Sequence, residues 1–121
     1  EAVPELGLEA VMMADGPHGL RKVMSASLAD LQASEPATCF PTGSALAATW
    51  DRVLAGDVGR AIGREAVAEG VGVVLGPAVN LKRHPAAGRN FEYFSEDPFL
   101  AGELALAWID GRIRGSAANR S

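Results

Sequence analysis

The chain has 121 residues, 48% of them hydrophobic and 21% charged, with a formal net charge of -4. Such a composition suits one modest globular domain and excludes a nucleic-acid-binding surface, which needs a basic face. No apolar run approaches the roughly 20 residues of a membrane span, and a single cysteine, Cys39, excludes an internal disulfide framework or a thiolate zinc cluster.

Beside Phe40 and Pro41, Cys39 reads as a small buried packing residue. No signal peptide is visible, but the first residue is Glu1 rather than Met, so the compartment stays open. Asn119-Arg120-Ser121 matches a glycosylation triplet, a short pattern that arises often by chance.

Residues 9–14 form an apolar run that ends at Asp15-Gly16-Pro17, which predicts a buried strand followed by a sharp loop. Residues 22–37 are mixed and read as a surface connection with at most a short helix. Thr38-Cys39-Phe40-Pro41 is a second short strand candidate. Asp51 suits the N-cap of a helix from Arg52 to Glu69, with Val53, Leu54, Val58, Ile62 and Val67 at near-helical spacing and Gly70 as the residue that stops it. Gly56, Gly59 and Gly63 either weaken that helix, by up to about 1 kcal/mol each relative to Ala, or permit close packing on a neighbour.

Residues 71–75 are apolar without alternation, which predicts a strand buried on both faces. A long loop over residues 76–97 follows. Asp97 and Pro98 then open a last helix as N-cap and first residue. Leu100, Leu104 and Trp108 share one face of it. It is expected to fade near Gly111 to Gly115, leaving residues 116–121 as a loose tail. The order strand, strand, helix, strand, helix is that of a parallel α/β fold, in which a ligand lies at the carboxyl ends of the strands.

Several patterns carry little chemistry. The glycines at 70, 72 and 76 miss the dinucleotide-binding spacing, and they enter a strand rather than open a helix. His18 and His84 are the only histidines and do not make a metal site; His18 is expected to order its Gly/Pro loop by hydrogen bonding. Trp50 and Trp108 are expected in the core. Ser95-Glu96-Asp97 reads as helix-start chemistry.

Asp15 is different, because a strand end and Gly-Pro pin its backbone. Its carboxylate either caps the loop or accepts from two adjacent sugar hydroxyls. Arg21 either pairs with a carboxylate, donates to hydroxyls, or lies solvated on the surface. In Arg89-Asn90-Phe91-Glu92-Tyr93-Phe94 the guanidinium is a planar fork of donors. An extended segment would put Arg89, Phe91 and Tyr93 on one side and Asn90, Glu92 and Phe94 on the other. Alternatively the loop folds on itself, with Arg89 and Glu92 paired.

Taken in order, Asp15-Gly16-Pro17-His18-Gly19-Leu20-Arg21, Leu75-Gly76-Pro77-Ala78-Val79-Asn80 and Gly88-Arg89-Asn90-Phe91-Glu92-Tyr93-Phe94-Ser95-Glu96-Asp97-Pro98 resemble the family 3 glycoside hydrolases of the β-glucosidase type. The likeness runs from about Leu6 to Gly115. It implies the N-terminal βα units of a (β/α)8 barrel over residues 1–115 and a retaining hydrolysis of β-glucosides, in which one carboxylate attacks the anomeric carbon and another protonates the leaving oxygen. It implies that Asp15 and Arg89 bind the terminal sugar, and that Arg21 and Glu92 lie in or beside the same pocket. It implies no cofactor and no metal.

The family's Lys-His-Phe strand end, its nucleophilic Asp and its acid/base carboxylate have no counterpart here, so no catalytic residue is expected in the chain. The resulting expectation is an N-terminal fragment from a truncated or frame-shifted gene, contributing part of a sugar pocket and inactive alone. Two other readings stay open: a non-catalytic carbohydrate-binding or interaction module, and a non-functional product. No nucleic-acid or membrane partner is expected, and the sequence does not set an oligomeric state.

Overall fold

A computed structural model describes residues 2–23 and 34–118. Strand β1, Met13–Asp15, is followed by helices α1, Gly43–Ala47, and α2, Arg52–Ala68; strand β2, Val73–Leu75, then leads to helix α3, Pro98–Ala117. The two strands are parallel, with Met13 opposite Val73, Ala14 opposite Val74 and Asp15 opposite Leu75. A parallel pair needs a crossover, and α1 and α2 supply it. The α/β class is therefore as expected, but the order is not. Thr38-Cys39-Phe40-Pro41 is not a strand; the Phe40 N–H donates to the His18 carbonyl at 2.9 Å, and the Thr38 N–H and hydroxyl both donate to the Glu65 carboxylate. A segment held by side-chain and loop acceptors has no ladder to join.

The long helices start where their caps place them. Asp51 accepts from the N–H groups of Val53 and Leu54, and Asp97 from those of Phe99 and Leu100. Each such cap is worth about 1 kcal/mol. Gly70, at φ +67, ends α2 in the left-handed conformation that glycine adopts without strain. At the other end of the chain the expectation fails: α3 does not fade at Gly111 but runs through Gly115 to Ala117. Residues 119–121 lie outside the described residues, as do residues 24–33 of the predicted surface connection.

The glycines explain the longer helix. On α2 the buried face is Ala55, Val58, Gly59, Ile62, Gly63 and Ala66; on α3 it is Ala101, Leu104, Ala105, Trp108, Gly111 and Gly115. A Cβ on Gly59 would collide with the Trp108 carbonyl, one on Gly63 with that of Arg112, one on Gly111 with that of Gly56 and one on Gly115 with that of Arg60. The two backbones are thus in contact along one stripe. Helix propensity is given up for interhelical packing, and Gly111 and Gly115 are interior positions rather than stops. The stripe also turns α2: Val58 and Ile62 are buried as expected, while Val53 and Leu54 face solvent.

Two further residues and one strand depart from expectation. Trp108 is fully buried, but Trp50 is 74% exposed, because it occupies the turn between α1 and α2 at φ +56 rather than a helical position. Cys39 is exposed. β2 is buried on one face only: Val74 joins Ala14 in the core, whereas Val73 and Leu75 are exposed, and so is Met13 on β1. α2 and α3 cover one side of a two-stranded sheet, and among the described residues no strand or helix covers the other. No helix among the described residues is long and apolar enough to cross a membrane.

Two outcomes follow from this packing. Gly59→Ala should destabilise the fold by about 1–3 kcal/mol through overpacking, whereas Gly102→Ala, with open space around it, should gain up to about 1 kcal/mol. Unfolding followed by far-ultraviolet circular dichroism ranks the two, and equal effects would defeat the close-packing account. Separately, Val11, Met12, Met13, Val73 and Leu75 leave an apolar strip beside open strand edges. The chain should therefore self-associate as its concentration rises in sedimentation velocity; a monomer at every concentration with a sharp two-state melt would contradict this.

Candidate functional site

β1 and β2 end side by side, so the loops that leave them begin together. Both strands stop at Asp15 and Leu75, and the Gly16 N–H donates to the Leu75 carbonyl at 3.2 Å. The chain after Asp15 doubles back at once, with the Arg21 N–H donating to the Asp15 carbonyl at 2.7 Å. Buried Leu20 anchors the turn. Gly19, at φ +142, faces the Thr38 carbonyl so closely that no side chain fits there. Asp15 is thus fixed by a strand on one side and a closed loop on the other, while its carboxylate stays exposed.

A cleft of about 440 Å³ opens over these strand ends. That volume falls in the range of small-molecule sites, about 300–1,000 Å³. Its walls are residues 15–19 with Arg21, residues 75–80, and Arg89, Phe91, Glu92 and Tyr93. All four residues singled out in the sequence, Asp15, Arg21, Arg89 and Glu92, therefore line one cavity at the carboxyl ends of the strands.

The 88–93 segment is not extended. The N–H groups of Asn90, Glu92 and Tyr93 donate to the carbonyls of Ala87, Arg89 and Asn90, which winds it into successive turns. The expected alternation is lost for that reason. Arg89, Phe91, Glu92 and Tyr93 all reach the cleft, while Asn90 donates from its side chain to the His84 carbonyl at 2.8 Å and Phe94 drops into the core. Arg89 and Glu92 pair bidentately: Nε donates to Oε1 at 2.9 Å and Nη2 to Oε2 at 2.8 Å. The Arg89 side chain is 70% exposed and that of Glu92 only 13%. Glu92 is thus the anchored member and Arg89 presents its outer edge to solvent.

The hydrogen bond from Arg89 is the main influence holding the Glu92 carboxyl below its ordinary value of 4.5. The same bond, joined by the Glu92, Tyr93 and Asp15 charges, raises the Arg89 guanidinium further above its ordinary value. Asp15 thus acts on Arg89 across the cleft. His18 contributes differently from expectation: its main-chain carbonyl orders the loop by accepting from Phe40, while its ring lies 5.8 Å from that of Phe91 and its Nδ1 is buried without a hydrogen-bond partner among the described residues. No group of three or more His, Cys, Asp or Glu among the described residues could hold a metal ion.

Sequence reading missed the support beneath this loop. Gly43 lies against the Glu92 carbonyl, and Ser44 meets the carbonyls of Asn90, Phe91 and Tyr93. These residues stand nearly fifty positions apart, and no periodicity or spacing in a single sequence pairs them. Val79 and Asn80 also line the cleft; the signal that could have found them is that they lie in the loop beyond the carboxyl end of β2.

The chain matches the family described as the glycosyl hydrolase family 3 N terminal domain over residues 2–118. It is 56% identical over 110 residues to the thermostable β-glucosidase B of Acetivibrio thermocellus, covering 90% of this chain and 15% of that protein. It is 47% identical over 113 residues to the exo-α-(1→6)-L-arabinopyranosidase of Bifidobacterium longum, covering 92% and 15%. Among solved structures, β-glucosidase 3B from Thermotoga neapolitana in complex with α-D-glucose superposes with a TM-score of 0.83 at 43% identity, over 95% of this chain and 16% of that one. The chain thus spans about 15% of the length of the relatives it matches.

The Arg89–Glu92 pair has a defined acid limit. A carboxylate lowered by its fold contributes stability above its unfolded value and loses it as pH falls through the folded one. The loop should hold at neutral pH and loosen on acidification below about 4.5; the raised Arg89 stays charged throughout. Arg89→Gln should return the Glu92 titration, followed by its carboxyl carbon shift, toward the ordinary value. An unchanged midpoint would remove the pair from the account.

Proposed function

Because the chain belongs to the family 3 glycoside hydrolases, within their N-terminal domain, we propose that it forms βα units of a (β/α)8 barrel and supplies part of the pocket for the terminal sugar of a β-glucoside. One observation carries this reading: four polar side chains from two distant loops line a single cleft at the carboxyl ends of two parallel strands. Active sites of such barrels sit on that face.

The chemistry of the cleft agrees. Asp15 and Glu92 balance Arg21 and Arg89, so the walls suit a neutral, hydroxyl-rich ligand rather than an anion. Asp15 is an acceptor for two adjacent hydroxyls and stands at the end of a hydrogen-bonded strand. Arg89, held on its inner edge by Glu92, keeps donors on its outer edge for the same ring. Phe91 and Tyr93 offer apolar surface to the ring's C–H faces. The arabinopyranosidase among the relatives suggests that this portion recognises the hydroxyls of a pyranose and that the choice between glucose and arabinose is made elsewhere.

No step that breaks the bond is assigned to this chain. Retention needs two carboxyl groups about 5 Å apart across the scissile bond, one of them free to attack. Both oxygens of Glu92 are occupied by Arg89, and Asp15 serves as a hydroxyl acceptor. The nucleophile and the acid/base belong to other parts of proteins of this family. In such a protein Asp15 and Arg89 would orient the ring while it distorts, an interaction that strengthens toward the transition state.

The test is glucose binding together with an aryl β-glucoside assay on the 121-residue chain. Glucose should protect backbone amides around Asp15 and Arg89 from exchange, and Asp15→Ala or Arg89→Ala should weaken that binding roughly tenfold or more, as expected for hydrogen bonds to charged groups. Hydrolysis should stay at background. Activity that vanishes in Asp15→Ala or Glu92→Ala would mean that a catalytic carboxylate has been taken for a binding one, and no glucose binding at all would favour an interaction module.

A further inference from the structure

The geometry points to Ser44, polarised from behind by Lys82, as a positioning residue for the Arg89 loop; the inference rests on the reading of that loop as sugar-holding. Ser44 is the second residue of α1, 46 residues before Asn90. Its N–H donates to the Phe91 carbonyl at 3.2 Å. Its Oγ lies 3.0 Å from the Asn90 carbonyl, 3.2 Å from that of Phe91 and 3.5 Å from that of Tyr93. Lys82 Nζ stands 2.6 Å from the same Oγ. Neither side chain lines the cleft, so both act through the loop rather than on a ligand.

The direction of the chain of hydrogen bonds is forced. An ammonium carries donors only, so Lys82 must donate and the Ser44 oxygen must accept. That leaves the single hydroxyl proton for the loop, where carbonyl oxygens are the acceptors available. A donor that is itself accepting from a cation is polarised and binds its own acceptor more strongly. The fit is close, because a side chain at Gly43 would collide with the Glu92 carbonyl. Consecutive carbonyls from Asn90 to Tyr93 therefore rest on one short turn. Holding them fixes where Arg89 and Glu92 enter the cleft. The same Lys82 also ties its own N–H to the Ser95 carbonyl at 3.3 Å, next to the start of α3, so the loop is gripped from both flanks.

Hydrogen exchange read by mass spectrometry on the full 121-residue chain, at dilution, tests this with Ser44→Ala, Lys82→Met and the double variant. Ser44→Ala should raise exchange of the peptides spanning residues 87–94 roughly tenfold, the size expected for one such bond. Peptides of α2 and α3 should keep their wild-type protection, which a general loss of stability would not allow. Lys82→Met should act on the same peptides by a smaller factor, and the double variant should match Ser44→Ala, because Lys82 works through the hydroxyl. Ser44→Thr, which keeps the hydroxyl, should restore protection. Unchanged loop exchange in Ser44→Ala, or additive effects in the double variant, would overturn the assignment.

Glucose added to the same samples separates the two readings. Protection at Asp15 and Arg89 that weakens in Ser44→Ala, while α2 and α3 stay protected, supports both. No glucose protection in the wild type would end the sugar-holding reading, and the loop exchange would still decide the role of Ser44.

Discussion

Where α2 and α3 meet, main chain touches main chain. Gly59 and Gly63 on one helix, and Gly111 and Gly115 on the other, each lie against a carbonyl of the opposite helix. A single methyl at any of these positions would push the helices apart and open the packing around Trp108, Ile62 and Leu104, the largest fully buried side chains. Everything else hangs from this pair. α2 delivers the chain through Gly70 into β2, and β2 sets the position of β1 by direct pairing. The long loop after β2 must end at Asp97, which α3 holds in place. Both of its ends are thus set by elements outside the loop itself.

That arrangement gives the cleft one rigid wall and one built wall. Asp15 belongs to the rigid wall, since its backbone is part of the strand ladder. Arg89 belongs to a segment without regular structure, which stays ordered through turns, through the Arg89–Glu92 pair and through donors supplied from below by α1. Buried backbone carbonyls need partners, and a loop that winds tightly leaves several pointing the same way. Ser44 meets that need with its N–H and its hydroxyl, and the missing side chain at Gly43 lets the loop come that close. The architecture divides the work: helix packing locates the loop, and local polar contacts shape it.

The exposed apolar strip on β1 and β2 belongs to the same picture. Strands in an all-parallel sheet are normally covered on both faces, and residues 71–75 carry the composition for that. Among the described residues one face is covered and the other is open, because two strands and two long helices make two layers, not three. Val73 and Leu75 are thus apolar for a surrounding that these two layers do not supply.

How much of this was legible in the sequence depends on the range of the forces involved. Caps, stops and helix starts act within a turn, so Asp51, Gly70, Asp97 and Pro98 marked α2 and α3 with little error. The specific run around Arg89, together with the Asp15 loop, announced the candidate site, and strand-end logic placed both on one face. The third dimension alone decided the rest. Gly111 and Gly115 read as helix ends until a partner backbone gives them a purpose. Trp50 and Cys39 read as core residues until chain direction turns them outward. Thr38 to Pro41 read as a strand until Glu65 and His18 claim its donors. The Ser44–Lys82–loop contacts join positions that no local pattern connects. Short-range sterics and capping are written in neighbouring residues, whereas burial, close backbone approach and hydrogen bonds across 38 or 46 residues exist only once packing has chosen which surfaces meet.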